Sequence, residues 1–170
     1  VVMAVPADLV TARGELAVAP SNSTYLYAQL QSITPNSNGG CGSANGCQLG
    51  AYRTTDGGVT WTQIAGSPGA SLTNCSGGAG DYPQNWYDQA IAVDPNNPDR
   101  VFFDTFDVWF WQNGNPVWND TSCGYSGGSV VHVDQHALAF VPGSSSILLA
   151  GNDGGVHGTT NADVASQTVD

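Results

Sequence analysis

The chain has 170 residues, 41% of them hydrophobic and 10% charged, with 22 glycines; this balance suits a turn-rich β domain with a buried core and argues against long surface helices. It holds no Lys, three Arg and fourteen acidic residues, for a net charge of −11, so nucleic acid and anionic membranes, which need cationic patches, are poor partners. No run of about 18 apolar residues occurs, so membrane insertion is not expected. The chain opens on Val1-Val2 without a basic stretch before an apolar run, so a secretory signal is read as already absent.

In chain order, a strand pair recurs. Leu16-Ala17-Val18-Ala19-Pro20 is followed by Thr24-Tyr25-Leu26-Tyr27-Ala28, Ile91-Ala92-Val93-Asp94-Pro95 by Arg100-Val101-Phe102-Phe103-Asp104, and Leu138-Ala139-Phe140-Val141-Pro142 by Ser146-Ile147-Leu148-Leu149-Ala150. Each unit reads as a strand, a turn and a second strand, with a further turn motif downstream. In the first unit that turn is Arg53-Thr54-Thr55-Asp56-Gly57-Gly58-Val59-Thr60-Trp61. Asp56 is placed to fold its carboxylate onto its own turn, and the glycines accept positive φ without steric cost. In the second unit Asn113 stands for the Asp, Asn115 for the Gly, and Trp118 is in register; in the third, Thr159-Thr160-Asn161 occupies the same frame. Pro95 precedes Asn113 by 18 residues and Pro142 precedes Asn161 by 19, whereas Pro20 precedes Asp56 by 36 because of a Pro35–Gly50 insertion. A period near about fifty residues built of strands and turns predicts four-stranded propeller blades.

The spacing Thr54-x-Asp56-x-Gly58-x-Thr60-Trp61, with its two degenerate copies, resembles the Asp-box or BNR repeat of sialidase, xyloglucanase and sortilin-like β-propellers and of secreted bacterial proteins. The resemblance covers roughly Leu16 to Asp163 and implies an all-β propeller segment with about three four-stranded blades near 15–75, 88–123 and 136–170. Propellers need about 4–8 blades to close, so the chain is expected to be a piece of a larger ring, completed by further blades or by copies of itself. In this family the box lies on an outer turn away from substrate, so Thr54, Asp56, Gly58, Trp61, Asn113, Trp118 and Asn161 are read as structural.

Cys41, Cys47, Cys75 and Cys123 form no Cys-x-x-Cys pair, which argues against a zinc or redox motif. Cys41–Cys47 and Cys75–Cys123 disulfides in an oxidising compartment are expected, although four cysteines allow three pairings. Candidate chemistry falls on the connections that lead into the innermost strands, which in propellers lie beside the central channel. Here these are Asp81-Tyr82-Pro83-Gln84-Asn85-Trp86-Tyr87-Asp88-Gln89 and His132-Val133-Asp134-Gln135-His136. Acids and aromatics together suit a sugar, whose hydroxyls need acceptors and whose ring faces stack on Trp or Tyr; Trp86, Tyr87, Asp88, His132, Asp134 and His136 are the ligand-binding candidates. If 132–136 were a strand, His132, Asp134 and His136 would share one face and offer ligands to a divalent cation such as zinc or calcium; the alternative, which carries more weight, is that Asp134 orients one histidine through a hydrogen bond and the group ties down the strand entrance. Asp153 is read as a turn former with calcium binding as the lesser alternative.

The reading that follows is a secreted module for extracellular binding or scaffolding, with polysaccharide or protein as partner. The alternatives are a glycoside hydrolase using two carboxylates among Asp81, Asp88 and Asp134, and a self-assembling structural protein. A sialidase, which clamps its acidic substrate with three arginines, fits poorly, because Arg53 abuts the box and Arg100 lies in a turn.

Overall fold

The computed structural model of the chain describes residues 11–32, 48–64, 84–122 and 131–164. All four cysteines, and so both expected disulfides, lie outside these residues, as does Asp81.

The fold is all-β. The first sheet is a four-stranded antiparallel meander of β1 (Thr11–Val18), β2 (Leu26–Ser32), β3 (Gln48–Thr54) and β4 (Thr62–Gln63). The second has β5 (Ile91–Val93), β6 (Arg100–Asp104), β7 (Val108–Gln112) and β8 (Asn115–Asp120) in the same order. The third has β9 (Gln135–Phe140), β10 (Leu148–Asn152) and β11 (Gly155–Thr159) among the described residues; a fourth strand expected after Asn161 would fall largely beyond Val164, outside them. The first strands of the sheets lie side by side, β1 against β5 and β5 against β9. Meanders sharing a line of inner strands are β-propeller blades.

Alternation along the strands explains the stacking. On β6 and β7, Val101, Phe103, Trp109 and Trp111 turn to the first sheet and pack with Tyr27, Ala51, Ile64 and Trp118. Phe102, Val108 and Phe110 turn the other way, onto Leu148, Ala150 and Ala162 of the third unit. The second sheet is thus buried on both faces, which accounts for its near-continuous apolar strands. Trp118 packs edge-on against Phe103 at 5.2 Å between ring centres, so its place in the core follows from this stacking.

The turns hold as their polar residues dictate. Asp56 accepts bonds from the Thr60 amide at 2.9 Å, the Thr60 hydroxyl at 2.6 Å and the Thr54 hydroxyl at 2.7 Å, while Gly57 and Gly58 sit at φ 74° and 91°. Thr159 and Asn161 repeat the Thr54–Asp56 contact in the third unit. The second unit differs from expectation: Gln112 pairs directly with Asn115 and Gly114 takes φ 88°. A two-residue Asn113-Gly114 hairpin closes it, so Gly114 rather than Asn115 fills the glycine's role. At the β5–β6 turn, Asp94 caps the Asn96 and Asn97 amides, pairs with Arg100 at 2.8 Å and accepts from Ser145 at 2.7 Å, which joins the second and third units.

Candidate functional site

The two connections singled out in the sequence meet at one end of the second and third sheets. Residues 84–88 form a single tight turn in which the amides of Tyr87 and Asp88 both bond the Gln84 carbonyl, at 2.7 and 2.8 Å. This turn buries Asn85 and Asp88 and turns Trp86 and Tyr87 outward, leaving them 58% and 46% exposed. Their rings lie 5.5 Å apart, and Tyr87 continues onto the edge of His136 at 4.6 Å. Beneath them the side-chain nitrogen of Gln84 bridges two carboxylates, Asp134 at 2.6 Å and Asp88 at 3.1 Å.

The connection into β9 does not run as a strand before Gln135. Asp134 adopts φ 64°, an uncommon conformation for a side-chain-bearing residue, and its amide is held by the Phe106 carbonyl at 3.1 Å. The reversal breaks the alternation that would have put His132, Asp134 and His136 on one face. His132 turns to solvent with its ring Nδ1 2.8 Å from the Val133 carbonyl. His136 instead lies between Asp153, 2.6 Å from Nε2, and Asp88, 3.6 Å from Nδ1. Among the described residues no three His, Cys, Asp or Glu side chains converge as a metal set, so the expected His132/Asp134/His136 cluster is not formed. Asp153 lies with Gly154 in the two-residue turn between β10 and β11, as expected; the side chain that closes that turn is Asn152, which accepts from the Gly154 amide at 3.0 Å, while Asp153 faces His136.

Burial governs the electrostatics. Asp88 has no exposed surface, and desolvation, aided by the nearby Asp134 charge, pushes its carboxyl up to about 7 against the opposing effects of His136 and Gln84. Its Oδ1 has no hydrogen-bond partner. Asp104, at the end of β6, is likewise buried with both oxygens unpartnered, and burial, with a contribution from Asp88, raises it well above the ordinary range. On the side facing the first sheet, Gln29 bonds the Asp104 carbonyl at 2.6 Å and Asn85 at 3.2 Å, and Gln89 bonds Asn85 at 3.3 Å. Arg13 of β1 completes the support by donating to the carbonyls of Tyr87 at 2.5 Å and Trp86 at 3.2 Å.

The structure therefore brings together Trp86, Tyr87, Asp88, Asp134 and His136, and leaves His132 apart. Sequence reasoning passed over Gln84, Asp104 and Arg13. The first lies inside the quoted loop, and the second ends the strand Arg100–Asp104 with nothing local to mark it as buried; no local signal marks Arg13. A separate cleft of about 500 Å³ lies at the other end of β7, lined by Arg53, Thr60, Thr62, Gln63, Trp111 and Asn115. There Arg53 is paired with Asp99 and lies over Tyr25 at 5.0 Å, and Thr60 is held by Asp56.

No protein-family model matches the chain, and no curated protein matches it in sequence. Among solved structures it is similar to an ancestral GH74 enzyme at 15% identity and a TM-score of 0.49, over 87% of this chain. It spans 17% of that chain's length.

Proposed function

We propose that this chain is a carbohydrate-binding segment of an Asp-box-type propeller that acts outside the cell. The carrying observation is the exposed Trp86–Tyr87 pair set beside Asp134, His136 and Asp153. Trp109, Trp111 and Trp118 are all buried. Two neighbouring exposed aromatic rings next to carboxylate acceptors match what a sugar presents, apolar C–H faces edged by hydroxyls. The Asp-box assignment rests on the Thr54–Asp56–Thr60 turn and its echo at Thr159–Asn161. The extracellular assignment rests on four cysteines without a zinc or redox spacing.

Glycoside hydrolysis is the second reading, favoured by the near-neutral Asp88 beside Asp134. Binding ranks above it because Asp88 has no exposed surface, and a general acid must come within hydrogen-bond reach of the leaving oxygen. Calorimetry with a panel of soluble oligosaccharides tests both. Trp86→Ala should weaken binding about tenfold, equivalent to about 1.4 kcal/mol, with an unchanged melting temperature and no reducing ends released. Affinity indifferent to Trp86→Ala and Tyr87→Ala would overturn the binding reading. Release of reducing ends that Asp134→Asn abolishes would establish the hydrolase.

A further inference from the structure

We infer that the saccharide taken by this site carries free amines, as in oligomers of glucosamine; this rests on the carbohydrate reading above. The site offers the carboxylate of Asp153, 2.6 Å from His136, and that of Asp134, held by the Gln84 amide, next to the exposed rings of Trp86 and Tyr87. An ammonium group suits both, pairing with a carboxylate and lying over an aromatic face by cation–π attraction.

What the protein withholds is as telling. The chain has no Lys, and each Arg is engaged: Arg13 with the Trp86 and Tyr87 carbonyls and Glu15, Arg53 with Asp99, Arg100 with Asp94. Of these only Arg13 approaches the site, and its guanidinium is turned to the backbone of the aromatic pair. His136 is flanked by two carboxylates, Asp88 and Asp153. Behind it the fully buried Asp88 keeps an oxygen with no hydrogen-bond donor, and Asp104 keeps two. Acceptors left unpaired at depth are costly, and the unpartnered oxygen of Asp88 is the one that lies toward His136, 3.6 Å from its Nδ1. A neutral sugar would supply hydroxyl donors but no positive charge for the carboxylates of Asp134 and Asp153. A net charge of −11 draws a polycationic ligand to the whole molecule and repels an acidic one.

The deciding experiment compares glucosamine oligomers with their N-acetylated counterparts, equal in length and linkage, by calorimetry at mildly acidic pH, where the amines are protonated. The amine form should bind at least about tenfold more tightly, and its advantage should shrink with added salt. In Asp134→Asn with Asp153→Asn, checked as folded by circular dichroism, the ratio between the two ligands should fall toward one. Equal or tighter binding of the N-acetylated oligomer would overturn the inference while leaving the carbohydrate reading intact. Failure of both oligomers and of all neutral sugars to bind folded protein would overturn the carbohydrate reading itself. Oligolysine binding as tightly as the glucosamine oligomer, and unaffected by Trp86→Ala, would overturn the inference by showing a general cation surface.

Discussion

The amide of Gln84 reaches the carboxylate of Asp134 at 2.6 Å across 50 residues of chain, and the same nitrogen serves Asp88 at 3.1 Å. One neutral donor thereby holds two carboxylates at the joint between the second and third sheets. Gln84→Met keeps the length and removes the donor, so it should destabilise the fold by about 1–3 kcal/mol in urea unfolding. Gln84→Glu adds a third carboxylate to the group. Its loss should exceed that of Gln84→Met at neutral pH and diminish on acidification, and a pH-independent difference would mean that charge is not what Gln84 manages.

The pH dependence of stability has two limbs of opposite sign. Asp88 is raised from 3.8 to about 7 by burial, so between those values the folded chain holds a proton that the unfolded chain has released, and stability falls as pH rises. Asp104, raised for the same reason, acts in the same direction. Asp56 is lowered from 3.8 to about 2, chiefly by its bonds from Thr60; its contribution is present above 3.8 and is lost as pH falls toward 2. Melting temperatures in a pH series should show Asp88→Asn flattening the decline between about pH 4 and 7, and Asp56→Asn flattening the acid limb. An unaltered slope in Asp88→Asn would show that this carboxyl ionises freely in the folded state.

The strand pairs were legible because each is an apolar stretch closed by Pro, Asn, Asp or Ser, and local turn chemistry survives in the fold: Ile91–Val93 pairs with Val101–Phe103 as its sequence implies. The blade stacking was legible through the period. What escaped was set by contacts between distant segments. Asp134 reads as a strand residue, yet the Phe106 carbonyl draws its amide into a left-handed turn, so the spacing of His132 and His136 no longer places them together. Asp104 reads as the last residue of a strand, and only packing within the fold reveals that it is buried with its oxygens unpaired. The aromatic pair and the acids of residues 84–88 were found because several functional residue types fall in one short loop; their support by Arg13 depends on the approach of β1, which no spacing encodes.

Two glycines should separate stability from binding. Gly58 sits at φ 91° in the outer turn of the first sheet, with Trp61 Nε1 3.8 Å from where a β-carbon would stand. Gly58→Ala meets no clash, and should cost about 1–2 kcal/mol through its left-handed backbone while leaving saccharide affinity unchanged. At Gly154 the added carbon would lie 2.5 Å from the His132 β-carbon, in a segment whose carbonyl is already held by Asn152 at 3.0 Å and by Gln135. Gly154→Ala must displace that segment and with it Asp134 and Asp153, so it should cost about 1–3 kcal/mol and also weaken binding. If calorimetry showed equal affinity in both variants, the β10–β11 turn would not be coupled to the site.

Arg13 is the remaining link between stability and recognition. Its Nη1 donates to the Tyr87 and Trp86 carbonyls while Nη2 lies 3.1 Å from Glu15, so the guanidinium fixes the backbone of the aromatic pair against β1. A lysine retains the charge but cannot present two nitrogens in a rigid fork. Because Arg13 is about a third exposed, with 34% of its side-chain surface accessible, Arg13→Lys should change stability by less than about 1 kcal/mol. It should nevertheless reduce saccharide affinity several-fold, because Trp86 and Tyr87 lose their fixed spacing and must be ordered on binding. Arg13→Ala should weaken binding about as much as Arg13→Lys if the fork is what matters. An affinity kept by lysine and lost by alanine would instead assign the effect to charge, and would weaken the case for an amine-bearing ligand, which a retained cation beside the site should repel.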